Sequence, residues 1–204
     1  MNKVNILDTK ILSDNWYILK KISFELLKAN GQKQLMEREA YDRGNGATIL
    51  LYNRQNQCVV LTRQFRLPTF VNGNETGYLI EACAGLLDKD NAEACIKRET
   101  EEETGYKISQ VTKVFEAYMS PGSVTELLYF FVAEYAPSMK VGDGGGVEEE
   151  HENIEVLEIP FTRALEMMQA GEIRDGKTIM LLQYAQLNNL LTITRYCFRS
   201  VLIK

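Results

Sequence analysis

The sequence predicts an α/β protein whose mixed sheet carries helices on both faces, with a small antiparallel strand region at its N-terminus. Three observations predict it. Apolar runs of strand length recur along most of the chain, and three segments of helical character lie among and after them without any repeat. The third is size: 204 residues, 45% hydrophobic and 25% charged, supply one sizeable core and at most a small appended subdomain.

The first forty residues read as strands and turns. Trp16 to Leu27 is rich in β-formers, Ala29 to Gln32 reads as a turn, and Gln34 to Tyr41 as a return strand. After Arg43-Gly44-Asn45-Gly46, the run Ala47 to Tyr52 reads as a buried strand, and Cys58 to Gln64 makes a hairpin with it across a polar turn. Asn72-Gly73-Asn74 marks a loop and Tyr78 to Ala82 a short strand. Asn91 to Thr104 is the best helix: Asp88, Asp90 and Asn91 offer N-cap side chains, and Gly105 stands where a left-handed C-terminal residue belongs. Strands are expected at Val111–Met119, Leu127–Glu134 and Glu155–Ile159, and helices at Phe161–Ala170 and Lys177–Leu190. One low-complexity stretch, Gly142 to Gly146, precedes the acidic run Glu148-Glu149-Glu150.

Composition excludes several classes of function. A net charge of −5 without a basic stripe argues against a nucleic-acid partner. It also means that a phosphate substrate would need a local reversal of sign, which a bound divalent cation can supply. The one histidine, His151, leaves too few ligands for most zinc hydrolases and makes a Ser-His-Asp triad hard to build. Chemistry must then run on carboxylates, lysine or arginine, and carboxylate oxygens suit Mg²⁺ or Mn²⁺. Cys58, Cys83, Cys95 and Cys197 are scattered, with no C-x-x-C pair, and read as free thiols. No signal peptide and no apolar run of membrane-spanning length is visible, so the expected location is the cytosol, with no membrane partner.

Glu99, Glu101, Glu102 and Glu103 crowd the C-terminal end of the expected helix, where the macrodipole is already negative. Glu99 and Glu103, four residues apart, share one face and repel by a few tenths of a kcal/mol. Such a run is ordinarily a solvated surface, but a cation bound between facing carboxylates turns their repulsion into a chelate. The wider pattern favours the chelate. Gly85, followed downstream by Arg98-Glu99-Thr100-Glu101-Glu102-Glu103-Thr104-Gly105-Tyr106, resembles the box of the Nudix hydrolases. The spacer before Arg98 is one residue short, Asn91 stands where the first glutamate of the box is expected, and Thr100 replaces an aliphatic residue. Ala84-Gly85-Leu86-Leu87-Asp88, Ser120-Pro121-Gly122 and Gly171 to Thr178 are similar to the nucleoside-diphosphate-sugar branch of that family. Arg43 to Ala47 and Val71 to Glu75 are most similar to its members that act on GDP-mannose.

The resemblance implies a Nudix-type α/β/α sandwich over residues 43–191, a strand region over 1–42 that joins a homodimer with shared active sites, and a tail over 192–204 without an assigned role. It implies a Mg²⁺-dependent hydrolase that cleaves the diphosphate bond of a nucleotide sugar, GDP-mannose to GMP and mannose 1-phosphate, with Mn²⁺ as an alternative ion and ADP-ribose or an ADP-sugar as the alternative substrate. A ligand sensor on the same fold is a further alternative, disfavoured by the persistence of Glu99, Glu102 and Glu103. The implied metal ligands are the Ala84 carbonyl, Glu99, Glu103 and Glu152. The implied catalytic base lies on a mobile loop formed by the Gly-rich stretch, either Glu152 or Glu150, with Glu103 contributing from the box. The implied substrate contacts are Trp16 on the base, Arg66 on phosphate, Glu126 and Lys177 at the sugar phosphate, Ala84, Gly85 and Leu86 along the loop, and Glu37, Arg38 and Glu39 reaching the partner's site.

Overall fold

A computed structural model describes residues 3–87, 90–147 and 153–192. Its centre is β4 (Gly46–Asn53), eight residues that are all buried. Strand alternation sends their side chains to two separate cores. Ala47, Ile49 and Leu51 pack with Cys95 and Ile96 of helix α2 (Ala92–Thr104), whereas Leu50 and Tyr52 pack with Phe161, Ala164 and Leu165 of α3 (Phe161–Ala170) and Leu181, Leu182 and Ala185 of α4 (Gly176–Leu187). The result is the expected sandwich, helices on both faces of one sheet. Truncating a fully buried leucine such as Leu181 would cost about 2–5 kcal/mol.

The sheet has seven strands. Its main path runs β10 (Glu155–Pro160), β5 (Cys58–Phe65), β4, β9 (Leu127–Glu134), β8 (Thr112–Tyr118), with β6 (Tyr78–Glu81) on β5 and β7 (Cys83–Leu86) on β4. The β4–β9 pairing is parallel and the others antiparallel, so the sheet is mixed. One edge of β4 is divided: Gly46–Ile49 pairs with β7, and Leu51–Asn53 with β5. The chain therefore leaves β5 at Glu81 and joins β4 at Cys83. This split corrects the single strand expected over Tyr78–Ala82. A short helix α1 (Leu67–Val71), with Pro68 in its first turn, is a second element that the sequence reading did not contain.

The N-terminal region is a separate three-stranded antiparallel sheet of β1 (Val4–Asp14), β2 (Ile18–Leu27) and β3 (Lys33–Asp42). Residues directly opposite one another in a register share a face. Two bulges in β1 keep Val4, Ile6 and Ile11 on the same face as Ile18, Ile22, Phe24 and Leu26 of β2 and Met36 of β3. That face is mainly apolar, though Lys20, Gln34 and Arg38 share it, and in the single chain Val4, Ile6 and Ile11 remain 42%, 57% and 54% exposed. The opposite face carries Asp8, Lys10, Lys21, Glu25, Glu37 and Glu39. Tyr41 ties the sheet to the main body through backbone hydrogen bonds with Ser123 and Thr125.

Candidate active site

Helix α2 forms where its caps demand. Asn91 accepts a hydrogen bond from the Ala94 amide at 2.9 Å, and Gly105 ends the helix in the left-handed conformation. Asn91, which stands where the resemblance expects a glutamate, thus serves as the N-cap. Thr100 is fully buried, and its hydroxyl donates to the Ile96 carbonyl at 2.6 Å, so a polar residue fits the aliphatic position without an unmet hydrogen bond.

The C-terminal carbonyls of α2 are met by the Gly-rich stretch. The Gly145 and Gly146 amides donate to the Glu103 and Glu102 carbonyls at 2.9 and 3.2 Å. A side chain at Gly144, whose φ is +72°, would fall 2.5 Å from the Glu103 carbonyl oxygen. These amides place partial positive charge at the end of the helix where the carboxylates crowd. Gly142–Gly146 therefore caps α2.

The helix delivers two carboxylates to adjacent residues of β7. Glu103 is 2% exposed, and its Oε2 accepts from the Ala84 amide at 3.3 Å. Glu99 lies against Gly85: a methyl group there would fall 2.0 Å from the Glu99 carboxyl carbon. Leu86 follows, half-buried, its carbonyl accepting from the Cys95 thiol at 3.1 Å. Burial, and then the charge of Glu103, hold the Cys83 thiol well above its ordinary pKa, so it stays protonated beside the carboxylates. Arg98 offsets part of the crowding, pairing with Glu99 at 3.0 Å, Glu102 at 2.9 Å and Asp90 at 3.7 Å.

A cluster of two cations and two carboxylates stands across the β6–β7 junction. Arg66 grips Glu81 with Nε and Nη2, at 2.8 and 3.0 Å, and Lys177 Nζ reaches the same carboxylate at 2.6 Å and Asp175 at 3.1 Å. Burial alone would raise the Glu81 pKa, but Lys177 and Arg66 overcome it and bring it down to about 2. Burial likewise opposes the charge on Arg66 and Lys177, and in each case the hydrogen-bonded or nearby Glu81 outweighs it, so both remain cations. Asp175 also caps α4, accepting from the Thr178 amide and hydroxyl at 3.0 and 2.6 Å, and Thr178 Oγ1 accepts in turn from the Ala82 amide at 2.6 Å. Glu81 was absent from the sequence reading. One glutamate closing an apolar strand was its only signal.

Glu126 joins this side of the molecule through Gly46, where an added methyl would lie 3.2 Å from both Glu126 Oε1 and the Gly85 carbonyl. Its carboxylate stands 3.6 Å from Arg43, whose guanidinium lies 5.4 Å from the Tyr17 ring centroid. Trp16 is 82% exposed at the β1–β2 turn, its ring edge-on to Tyr17. The three consecutive residues of β3 do not act as one group: Arg38 lies on the apolar face opposite Ile22, whereas Glu37 and Glu39 occupy the polar face, Glu37 paired with Lys21 at 2.8 Å. Glu150, His151 and Glu152 lie outside the described residues. Among the described residues no group of three or more acidic, histidine or cysteine side chains is poised to hold a metal ion. Glu99 and Glu103, beside the Ala84–Gly85 backbone, are nonetheless all-oxygen donors of the kind that fits a hard divalent cation.

Two family models match consecutive parts of the chain: the GDP-mannose pyrophosphatase NudK N-terminal domain over residues 3–41 and the NUDIX domain over residues 42–180. A GDP-mannose pyrophosphatase of Citrobacter koseri is 58% identical over 189 residues, covering 93% of this chain and 98% of that protein. One of Escherichia coli is 57% identical over the same shares. Among solved structures, an ADP compounds hydrolase superimposes with a TM-score of 0.66 over 92% of this chain and 97% of its own, at 16% identity, a likeness of fold. With a family model over most of its length and relatives of this similarity from end to end, the chain belongs to the Nudix hydrolase family, in the branch that contains the bacterial GDP-mannose pyrophosphatases.

Proposed function

We propose that this protein hydrolyses GDP-mannose to GMP and mannose 1-phosphate with the help of Mg²⁺, Mn²⁺ being able to replace it. The observation that carries the reading is the placement of Glu99 and Glu103 against the Gly85 and Ala84 backbone, in a chain whose 57–58% identical relatives carry the name of that activity. Glu99, Glu103 and the Ala84 carbonyl would hold the cation, with Glu152 completing the set. When bound, the cation neutralises the diphosphate and polarises phosphorus. The residues of the chain supply the rest. Arg66 binds phosphate oxygens, Glu126 and Lys177 contact the sugar phosphate, Gly85 and Leu86 line the loop, and Trp16 stacks on the base. Glu152, or Glu150 as its alternative, takes the proton of the attacking water as the P–O bond breaks.

We further read the assembly as a homodimer. The uncovered apolar face of the N-terminal sheet supports it, since contiguous exposed apolar surface marks an interface. Arg38 stands within that face and would reach the partner's diphosphate, while Glu37 and Glu39 would contribute from the other side of the strand. Among the described residues Cys58 and Cys83 form no disulfide, which supports a reducing, cytosolic location.

The test is a panel of GDP-, ADP- and UDP-sugars assayed for released monophosphate, with and without metal. GDP-mannose should be cleaved fastest, EDTA should abolish turnover, and Glu103→Gln should lower the rate roughly a thousandfold or more. An ADP-sugar cleaved far faster than GDP-mannose would overturn the substrate. Full activity in EDTA would overturn the metal assignment.

A further inference from the structure

We propose that Glu81 is a positioning residue, a buried anion that fixes the guanidinium of Arg66 and the ammonium of Lys177 at the geometry needed to receive a diphosphate; this rests on the function proposed above. Glu81 is 2% exposed, and both of its carboxylate oxygens are taken by cations from two remote segments, one before α1 and one at the start of α4.

The arrangement has the marks of orientation rather than of stability. Four charges, Arg66, Lys177, Glu81 and Asp175, sum to zero, so the cluster gains no long-range attraction for an anion from its net charge. What it gains is direction. The bidentate pairing uses the Nε and Nη2 edge of Arg66, while the side chain keeps 40% of its exposure for another partner. Lys177 is held from two sides, by Glu81 and Asp175, on the first turn of α4. Asp175 and Thr178 bind that turn to the Ala82 amide, one residue from Glu81. Without Glu81 the two cations would repel each other, and Arg66 would lose the contact that orients its planar fork. A buried ion cluster is a poor way to gain stability, since well-packed apolar side chains of equal volume serve as well or better.

Glu81 also ties the cations to the carboxylates: it lies three residues from Ala84, where Glu103 docks, so both sets of groups hang on one strand crossover, near enough for the charge of Glu103 to be felt at Arg66. The two halves of the site are thereby spaced by backbone, not by flexible side chains.

A double-mutant cycle tests the proposal. Glu81→Gln should lower kcat/KM for GDP-mannose about thirtyfold, chiefly through KM, and weaken GDP binding measured calorimetrically with Mg²⁺ by a similar factor. In an Arg66→Ala, Lys177→Ala background the same substitution should cost less than about threefold, because nothing is left to position. Equal losses in both backgrounds would show that Glu81 only supports the fold and would overturn the proposal. Should Glu81→Gln not fold, Glu81→Asp keeps the charge and draws both cations back by one methylene. It should lose about tenfold in GDP affinity, and wild-type affinity would equally overturn the positioning role. GDP binding needs no turnover, so a wild-type protein that leaves GDP-mannose intact would overturn the substrate reading while the binding cycle still decides the role of Glu81.

Discussion

Replacing Gly85 with alanine adds one methyl group at the point where the two halves of the candidate metal site meet. Gly85 does not occupy the left-handed region, so alanine strains no backbone there. The methyl would instead fall 2.0 Å from Cδ and 2.3 Å from Cγ and Oε1 of Glu99. To restore the 3.4 Å of ordinary contact, the Glu99 carboxyl group must retreat by about 1.4 Å. A displacement on the order of 1 Å in a positioned group can cost about a hundredfold in rate. We expect Gly85→Ala to fold and melt near the wild-type temperature, to lose about a hundredfold in kcat/KM, and to need a several-fold higher Mg²⁺ concentration for half-maximal rate. The assay is an Mg²⁺ titration of initial rates beside a thermal melt. Wild-type rates with unchanged Mg²⁺ dependence would refute the placement of Glu99 against Gly85 as a functional contact.

Three more predictions concern the base, the assembly and acid stability. Glu152→Gln should lower kcat with KM nearly unchanged, and Glu150→Gln should do so less; if both keep wild-type kcat, the base lies elsewhere. Co-expressing Glu103→Gln with Arg38→Ala should restore about a quarter of wild-type activity, because each mixed dimer regains one intact site if Arg38 acts across the interface. No gain over the parents, with mixed dimers confirmed, would place Arg38 in its own subunit's site. Glu81, lowered from 4.5 to about 2, favours the folded state more when ionised than when protonated, a difference fully present above its unfolded pKa and lost as pH falls through the folded one. Glu81→Gln should therefore flatten the decline in melting temperature between pH 4.5 and pH 2 that the wild type shows.

What could be read from the chain alone was what short-range chemistry dictates. Helix α2 appeared with nearly its observed limits because Asn91 and Gly105 are strong local stop signals, and β4 appeared because eight buried residues leave little choice. The facing of Glu99 and Glu103 followed from helical periodicity. Glu81 was invisible because its partners, Arg66 and Lys177, lie 15 and 96 residues away and nothing local marks the meeting. The division between β6 and β7 was hidden in the same way, since both halves are short apolar runs that differ only in which strand they join. Arg38 shows the opposite failing. Two-residue strand periodicity already separates it from Glu37 and Glu39, yet reading the three as one motif concealed that they point to opposite faces.

The parallel pairing at the centre of the sheet also fixes an order of events during synthesis. Gly46 of β4 stands opposite Leu128 of β9, so the sheet that carries the site cannot close until the chain has been made as far as β9, about 90 residues beyond β3. The N-terminal sheet is built from neighbouring hairpins and is complete once Asp42 has emerged. At roughly 5–20 residues per second the interval lasts on the order of 5 to 20 seconds. Throughout it, the open edge of β1 and the apolar side chains of Val4, Ile6 and Ile11 precede the domain they accompany. The segment most prone to early association is thus the first to be made and the longest to wait, a burden set by the sequence in which the strands are translated and not visible in the finished molecule.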